Sequence, residues 1–258
     1  MTEVAPPPGY VRVAAGRCSA VVLAFHADDA RRLLAEGTLY GAAARDLAAR
    51  TLMGRGLVYA IALPVSGTRA VVRHNRHGGL LAPLTRDWFL PPTRAPRELA
   101  IALRLRDLGV PTPEILMYGT SPAPFPFRRA DVVTREVQGA RDLSDYLTRD
   151  TLEPSRRAAW AATCALVGMM NRAGVRHHDL NVKNVLIADA SIGLTAHLLD
   201  VDRVTFGVAG SDEVASANAE RLLRSARKWR DERGARFDER EVGALGELTA
   251  AGQARGRS

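Results

Sequence analysis

The chain has 258 residues, enough for one two-lobed domain or two small ones, and is 47% hydrophobic and 25% charged, as ordinary globular proteins are. Its most apolar stretch, residues 158–170, is shorter than the roughly 20 residues a bilayer-crossing helix needs, and residues 1–10 are acidic and proline-rich, without a leader pattern. A net charge of +8 points to an anionic partner, but aromatics make up only 5% and do not interleave with the basic residues, so no nucleic-acid partner is expected.

In chain order, residues 11–25 contain β-rich runs such as Ala20-Val21-Val22-Leu23-Ala24-Phe25, and Asp28 and Asp29 open a short helix running to Glu36. Residues 57–63 and 69–74 read as a hairpin turning at Ser66-Gly67-Thr68. Residues 96–108 have helical spacing, with Leu99, Leu103 and Leu105 apolar and arginines between them, until Pro111 and Pro113 break the pattern. Residues 115–118 and 131–134 are short strands, and the three prolines within residues 121–127 predict a loop between them. Past Gly139, helices are predicted over 143–147 and 153–173, the second closed by Gly174. Apolar runs at 185–187 and 194–199 follow, then a basic helix over 215–229 and a polar tail. The expected class is α+β: a β-rich N-lobe over 1–137 and a reduced helical C-lobe over 138–258. Cys18 and Cys164 are far apart and lack metal-ligand spacing, which predicts free thiols.

The strongest chemical signal is His177-His178-Asp179-Leu180-Asn181-Val182-Lys183-Asn184, which fits the kinase catalytic-loop pattern His-x-Asp-Leu-x-x-x-Asn. Phosphoryl transfer needs a carboxylate to take the acceptor hydroxyl's proton and, five residues on, an amide oxygen to reach a magnesium ion. Asp179 and Asn184 have that spacing, between an apolar helix and an apolar strand. A second carboxylate, Asp200 in Leu198-Leu199-Asp200-Val201-Asp202, ends an apolar strand where a kinase's metal-binding Asp stands. The usual Asp-Phe-Gly reads Asp-Val-Asp, so the ligand is kept while Phe and Gly are lost. Gly54-Arg55-Gly56, ahead of the hairpin, would let backbone amides approach phosphate oxygens, although glycine pairs also serve plain turns.

Ala70-Val71-Val72-Arg73 matches the Val-Ala-Ile-Lys strand with Arg at the lysine position. The chain's two lysines, Lys183 and Lys228, both lie in its second half, so Arg73 is the candidate phosphate contact. Glu98, 25 residues later on the predicted helix, is its expected partner.

Taken together these segments resemble the lipopolysaccharide-core kinase family, and within it the kinases of 3-deoxy-D-manno-octulosonic acid (Kdo). The resemblance spans residues 54–229. It is carried by Gly54-Arg55-Gly56, Val72-Arg73-His74-Asn75-Arg76-His77-Gly78-Gly79-Leu80, Arg97-Glu98, the Asp179 segment, Leu199-Asp200-Val201-Asp202-Arg203 and Asn218-Ala219-Glu220-Arg221-Leu222-Leu223-Arg224-Ser225. The Arg-His-x-Arg-x-Gly-Gly run is its most diagnostic part; Val201 departs from the family's usual Phe.

The resemblance implies a bilobal protein-kinase-like fold and transfer of the ATP γ-phosphate to a hydroxyl of Kdo in Kdo–lipid A. It also implies a place at the cytoplasmic face of the inner membrane, where a positive protein meets an anionic surface. Asp179 would be the base, Asn184 and Asp200 the Mg2+ ligands, and Gly54, Gly56, Arg73 and Glu98 the nucleotide site. Arg76, His77, Gly78 and Gly79 would face the sugar substrate, and Arg86, Arg94, Arg97 and His74 could contact its acidic groups. The 58 residues after Asp200 hold no Ala-Pro-Glu segment, so a small or lipid-linked acceptor is expected rather than a protein. The open alternatives are a core heptose or another small acceptor, and a pseudokinase binding module.

Overall fold

Strand-forming runs dominate the first half of the chain and pair into one antiparallel sheet. The structure, a computed structural model, describes residues 5–53, 56–76, 87–148, 151–191, 193–237 and 243. Two compact units divide these residues. The first takes the chain up to Ala102 together with Glu114–Glu136, and the second takes Leu103–Pro113 with the chain from Val137 onward.

The first unit holds β1 (Tyr10–Ala15), β2 (Cys18–Leu23), α1 (Ala27–Ala35), α2 (Leu39–Arg45), β3 (Arg50–Met53), β4 (Leu57–Ala62), β5 (Arg69–His74), the start of α3 (Ala95–Asp107), β6 (Ile115–Pro122) and β7 (Arg128–Arg135). The seven strands form one sheet in the order β1-β2-β6-β7-β5-β4-β3. Every pairing is antiparallel, and the β4–β5 hairpin sets Val58 opposite Arg73. Helices α1 and α2 bury Ala30, Leu33, Leu34, Leu39 and Ala42 in one cluster with Val22, Ile61, Val72, Leu116 and Val133 of the sheet.

The apolar run at Val21 stops as a strand at Leu23, and Ala24–His26 turns instead into α1. Asp29 explains the turn. Buried at 1% exposure, it accepts from the Val65 and Ser66 amides at 2.8 and 3.0 Å and meets His26 Nδ1 at 2.9 Å. Burial alone would raise its pKa, but these hydrogen bonds outweigh it and lower the carboxyl below its usual value. Helix α2 leaves no periodic signal in the sequence because it is short and carries Gly41 near its start; Thr38 caps it by accepting from the Gly41 amide at 2.9 Å.

Between β5 and β7, His74 Nδ1 lies 2.5 Å from Asp131 and its Nε2 lies 2.8 Å from Asp87, which also takes Arg129 at 2.7 Å. Burial opposes a charge on this ring, but the hydrogen bonds and attraction of Asp131 and Asp87 win, so its pKa lies above the ordinary histidine value. The expectation that His74 contacts an acidic substrate is thereby corrected: both ring nitrogens already face carboxylates of the chain.

The second unit holds the end of α3, then β8 (Arg141–Asp142), α4 (Leu143–Thr148), α5 (Glu153–Arg172), β9 (Val175–His177), β10 (Val185–Asp189), β11 (Leu194–Leu198), β12 (Val204–Phe206) and α6 (Asp212–Arg233). Helix α5 buries Trp160, Leu166, Val167 and Met170, and α6 buries Ala219, Leu222 and Ala226. The strands form a β11-β10-β8 sheet and a β12-β9 pair. Gly174 joins α5 to β9 at φ +67°, and a Cβ there would lie 2.6 Å from the Gly207 carbonyl oxygen.

Gly174→Ala should therefore cost about 1–3 kcal/mol, read as a lower Tm. The His74 clasp predicts a pH dependence. Its raised pKa stabilises the fold fully below the unfolded value of about 6.5, and that gain is lost as pH rises through the folded value. Asp87, whose pKa is lowered despite burial by His74 and Arg129, loses its contribution as pH falls through its own folded value. The Tm deficit of His74→Gln should thus be largest at about pH 5–6 and shrink toward alkaline pH; a deficit constant across that range would contradict the assignment.

Candidate active site

Two groups of candidate residues take shape, one in each unit. In the first, Arg73 sits on β5 between Val58 of β4 and Val132 of β7. Its guanidinium forms an ion pair with Glu98, in the first turn of α3, and donates to Asn75 Oδ1 at 3.1 Å. Glu98 is only 3% exposed, and a carboxylate that buried needs such a charge partner. Asn75 is itself buried and held by its amide's 2.9 Å bond to the Ala130 carbonyl. The Arg73–Glu98 pair expected from the spacing is present, and Asn75 supports it. Arg76 lies over Gly56, its guanidinium 3.4 Å from where a Cβ would stand. Arg94 lies over the Phe89 ring at 5.6 Å and Arg97 is exposed. Gly54, His77, Gly78, Gly79 and Arg86, expected at the nucleotide and substrate sites, fall outside the described residues.

In the second unit, short strands flank the candidate residues. His177 ends β9, Asn184 precedes β10, and Asp200 follows β11 by two residues. The β10–β11 hairpin sets Val185 opposite Leu198, and one step outward the Leu199 amide donates to the Asn184 carbonyl at 2.9 Å. The hairpin thereby carries Asn184 and Asp200 on neighbouring chain segments. Within the loop, the side-chain amides of Asn181 and Asn184 both donate to the Asp179 carbonyl at 2.9 Å. Asn184 so turns its Nδ2 inward to the loop, leaving Oδ1 as the atom of opposite polarity on that amide.

His177 ties these segments together. Its Nε2 lies 3.1 Å from both the Leu199 and Asp200 carbonyls, and its Nδ1 accepts the Asp179 amide at 3.1 Å. A carbonyl requires N–H on Nε2 and an amide requires a lone pair on Nδ1, so the ring is the neutral Nε2–H tautomer. Burial pushes its pKa below the ordinary histidine value, against the pull of the Leu199 carbonyl and of Asp200 and Asp179. Asp200 has φ 51° and ψ 46°, the one non-glycine residue with positive φ among those described. Left-handed backbone at a non-glycine residue persists only where surroundings hold it. Here the His177 ring and the Arg203 amide, at 3.1 Å, both bond the Asp200 carbonyl.

Helix α6 contributes residues whose roles were not read from the sequence. Asn218, fully buried, accepts the His177 amide at 3.0 Å and donates to Asn171 Oδ1 and the Val175 carbonyl at 3.0 and 2.8 Å. Arg221 reaches Asp179 Oδ1 at 2.5 Å, and Ser225 accepts the Val182 amide at 3.2 Å. Positions 218, 221 and 225 share one face of a helix. The available signal was a polar residue, Asn218, at a position the helical period assigns to the core beside Ala219 and Leu222. Lys183 turns aside, 3.6 Å from Asp142 and 5.4 Å from the Trp229 ring.

Residues 46–244 match the Lipopolysaccharide kinase (Kdo/WaaP) family. Curated relatives named 3-deoxy-D-manno-octulosonic acid kinase include one from Actinobacillus succinogenes, 30% identical over 73% of this chain and 79% of its own. Another, from Stenotrophomonas maltophilia strain R551-3, is 33% identical over 70% of each chain. A third, from Vibrio vulnificus strain YJ016, is 32% identical over 74% of this chain and 78% of its own. A solved structure of WaaP in complex with acyl carrier protein aligns over 80% of this chain and 88% of its own, with TM-score 0.43 and 18% identity. With the family match covering most of its length, and with the α+β architecture observed, the chain belongs to the lipopolysaccharide kinase (Kdo/WaaP) family.

Proposed function

We propose that the protein transfers the γ-phosphate of ATP to a hydroxyl of Kdo in Kdo–lipid A, with Asp179 as the base. The observation that carries this reading is the joint fixing of Asp179, Asn184 and Asp200 by one buried imidazole and one hairpin, in a chain whose relatives bear the Kdo kinase name. Asp179 accepts the acceptor hydroxyl's proton as the sugar oxygen bonds to phosphorus and ADP leaves. Arg73, oriented by its ion pair with Glu98, contacts the phosphates through its guanidinium. The exposed guanidinium of Arg76, beside Gly56, supports assigning Arg76 and Gly56 to the anionic substrates.

The donor set fits Mg2+. Asn184 and Asp200 offer hard oxygens, and among the described residues no group of three or more His, Cys, Asp or Glu forms a cage for a metal. Magnesium is usually held by one or two protein oxygens with substrate phosphates and water completing the shell, and when bound it offsets phosphate charge. No helix among the described residues is long and apolar enough to cross a membrane. With a net charge of +8, the reading places the protein at the anionic cytoplasmic surface of the inner membrane, where a lipid-linked acceptor and ATP are both at hand.

Incubation with ATP, Mg2+ and Kdo–lipid A should add the mass of one phosphate to the glycolipid, and Asp179→Asn should cut the rate roughly 10²–10⁴-fold with nucleotide affinity retained. Full activity in that variant would exclude Asp179 as the base. Glu98→Gln should raise KM for ATP about tenfold, the equivalent of about 1.4 kcal/mol, with a smaller change in KM for the sugar.

A further inference from the structure

We propose that Arg221, on α6, is the positioning residue of the catalytic base: its guanidinium holds the Asp179 carboxylate in its working orientation. The inference rests on the assignment of Asp179 as base and adds a residue that the catalytic-loop pattern does not contain. Three observations carry it.

The first is the contact itself. Arg221 Nη2 lies 2.5 Å from Asp179 Oδ1, a charge-assisted bond to the functional carboxylate and not to a neighbour. The second is how the guanidinium is brought there. Three residues earlier, Asn218 bonds the His177 amide; four residues later, Ser225 bonds the Val182 amide. These two contacts bracket Asp179 and peg α6 along the catalytic loop, so Arg221 approaches from a helix of fixed register rather than from a loose surface. The third is the disposition of the loop's own cation. Lys183 engages Asp142 and the Trp229 ring, so it does not provide this contact.

The exposures argue that the pair serves geometry rather than stability. Arg221 and Asp179 are 40% and 28% exposed, and ion pairs that wet contribute little to folding. Packing of this part of α6 rests instead on Leu222, fully buried, and on Asn218. A planar guanidinium also fixes a carboxylate more tightly than an ammonium can. In a reaction driven by positioning, a carboxylate that swings away from the acceptor hydroxyl loses rate without losing substrate affinity.

The test compares Arg221→Ala, Arg221→Lys and Asp179→Asn with the double variant, in the full chain with ATP, Mg2+ and Kdo–lipid A. Arg221→Ala should lower kcat roughly 10–100-fold, while KM for ATP and Tm stay close to wild type. Arg221→Lys should recover part of the loss. In the Asp179→Asn background, removing Arg221 should change the residual rate by less than about twofold, because no carboxylate remains to orient. A merely structural arginine would cost the same in both backgrounds, and that result overturns the inference. So does wild-type kcat in Arg221→Ala when Asp179→Asn shows its large loss of rate, an outcome that leaves the base assignment standing. An active Asp179→Asn variant overturns the base assignment and the inference with it. If Arg221→Ala lowers Tm markedly, Arg221→Gln retains most of the aliphatic stem, and unchanged kcat in a folded Gln variant equally overturns the proposal.

Discussion

A neutral imidazole holds the second unit's chemistry together. His177 reads one loop with Nδ1 and the other with Nε2–H, so the segments carrying Asp179 and Asp200 are set by the two nitrogens of one ring. The two bonds coexist only in the uncharged Nε2–H form, since a proton on Nδ1 would remove the acceptor of the Asp179 amide, and burial favours that uncharged form. The Asp200 backbone, in the left-handed region, is held where it is by the same ring and by the turn through Arg203.

Around that ring the fold supplies stiffness in layers. Gly174 lets α5 run directly into β9, whose pairing with β12 sets His177 opposite Val204. The β10–β11 hairpin then returns the chain beside Asn184. Helix α6 braces the loop from another side through Asn218, Arg221 and Ser225. Polar contacts made by buried groups are costly to leave unmatched, and Asn218 meets that cost by accepting one amide and donating to two oxygens.

The first unit follows a different logic. Its antiparallel sheet presents Arg73 from an interior strand, and the partner carboxylate comes from α3 rather than from a neighbouring strand. Residues 10–45 have a structural task there: β1 and β2 extend the sheet and α1 and α2 cover it. Asp29 shows how the covering layer is locked, one buried carboxylate holding the β4–β5 turn by two amides.

The linear chain alone determined the α+β class, the β4–β5 hairpin, the long helices α3, α5 and α6, and the candidates Asp179, Asn184, Asp200, Arg73 and Glu98. Each is legible because it depends on local periodicity or on a spacing that chemistry demands. Tertiary structure decided the rest. Strands β8, β9 and β12 are two or three residues long and exist only by pairing with distant partners, so they carry no period of their own. Likewise His74 looked like a substrate contact until the sheet placed Asp131 beside it and the Asp87 carboxylate closed on its other nitrogen. Arg221 lies 42 residues from the carboxylate it holds, and no rule of sequence spacing links an arginine on one helix to the rotamer of an aspartate on a loop. That link is made by packing, which is non-local by nature.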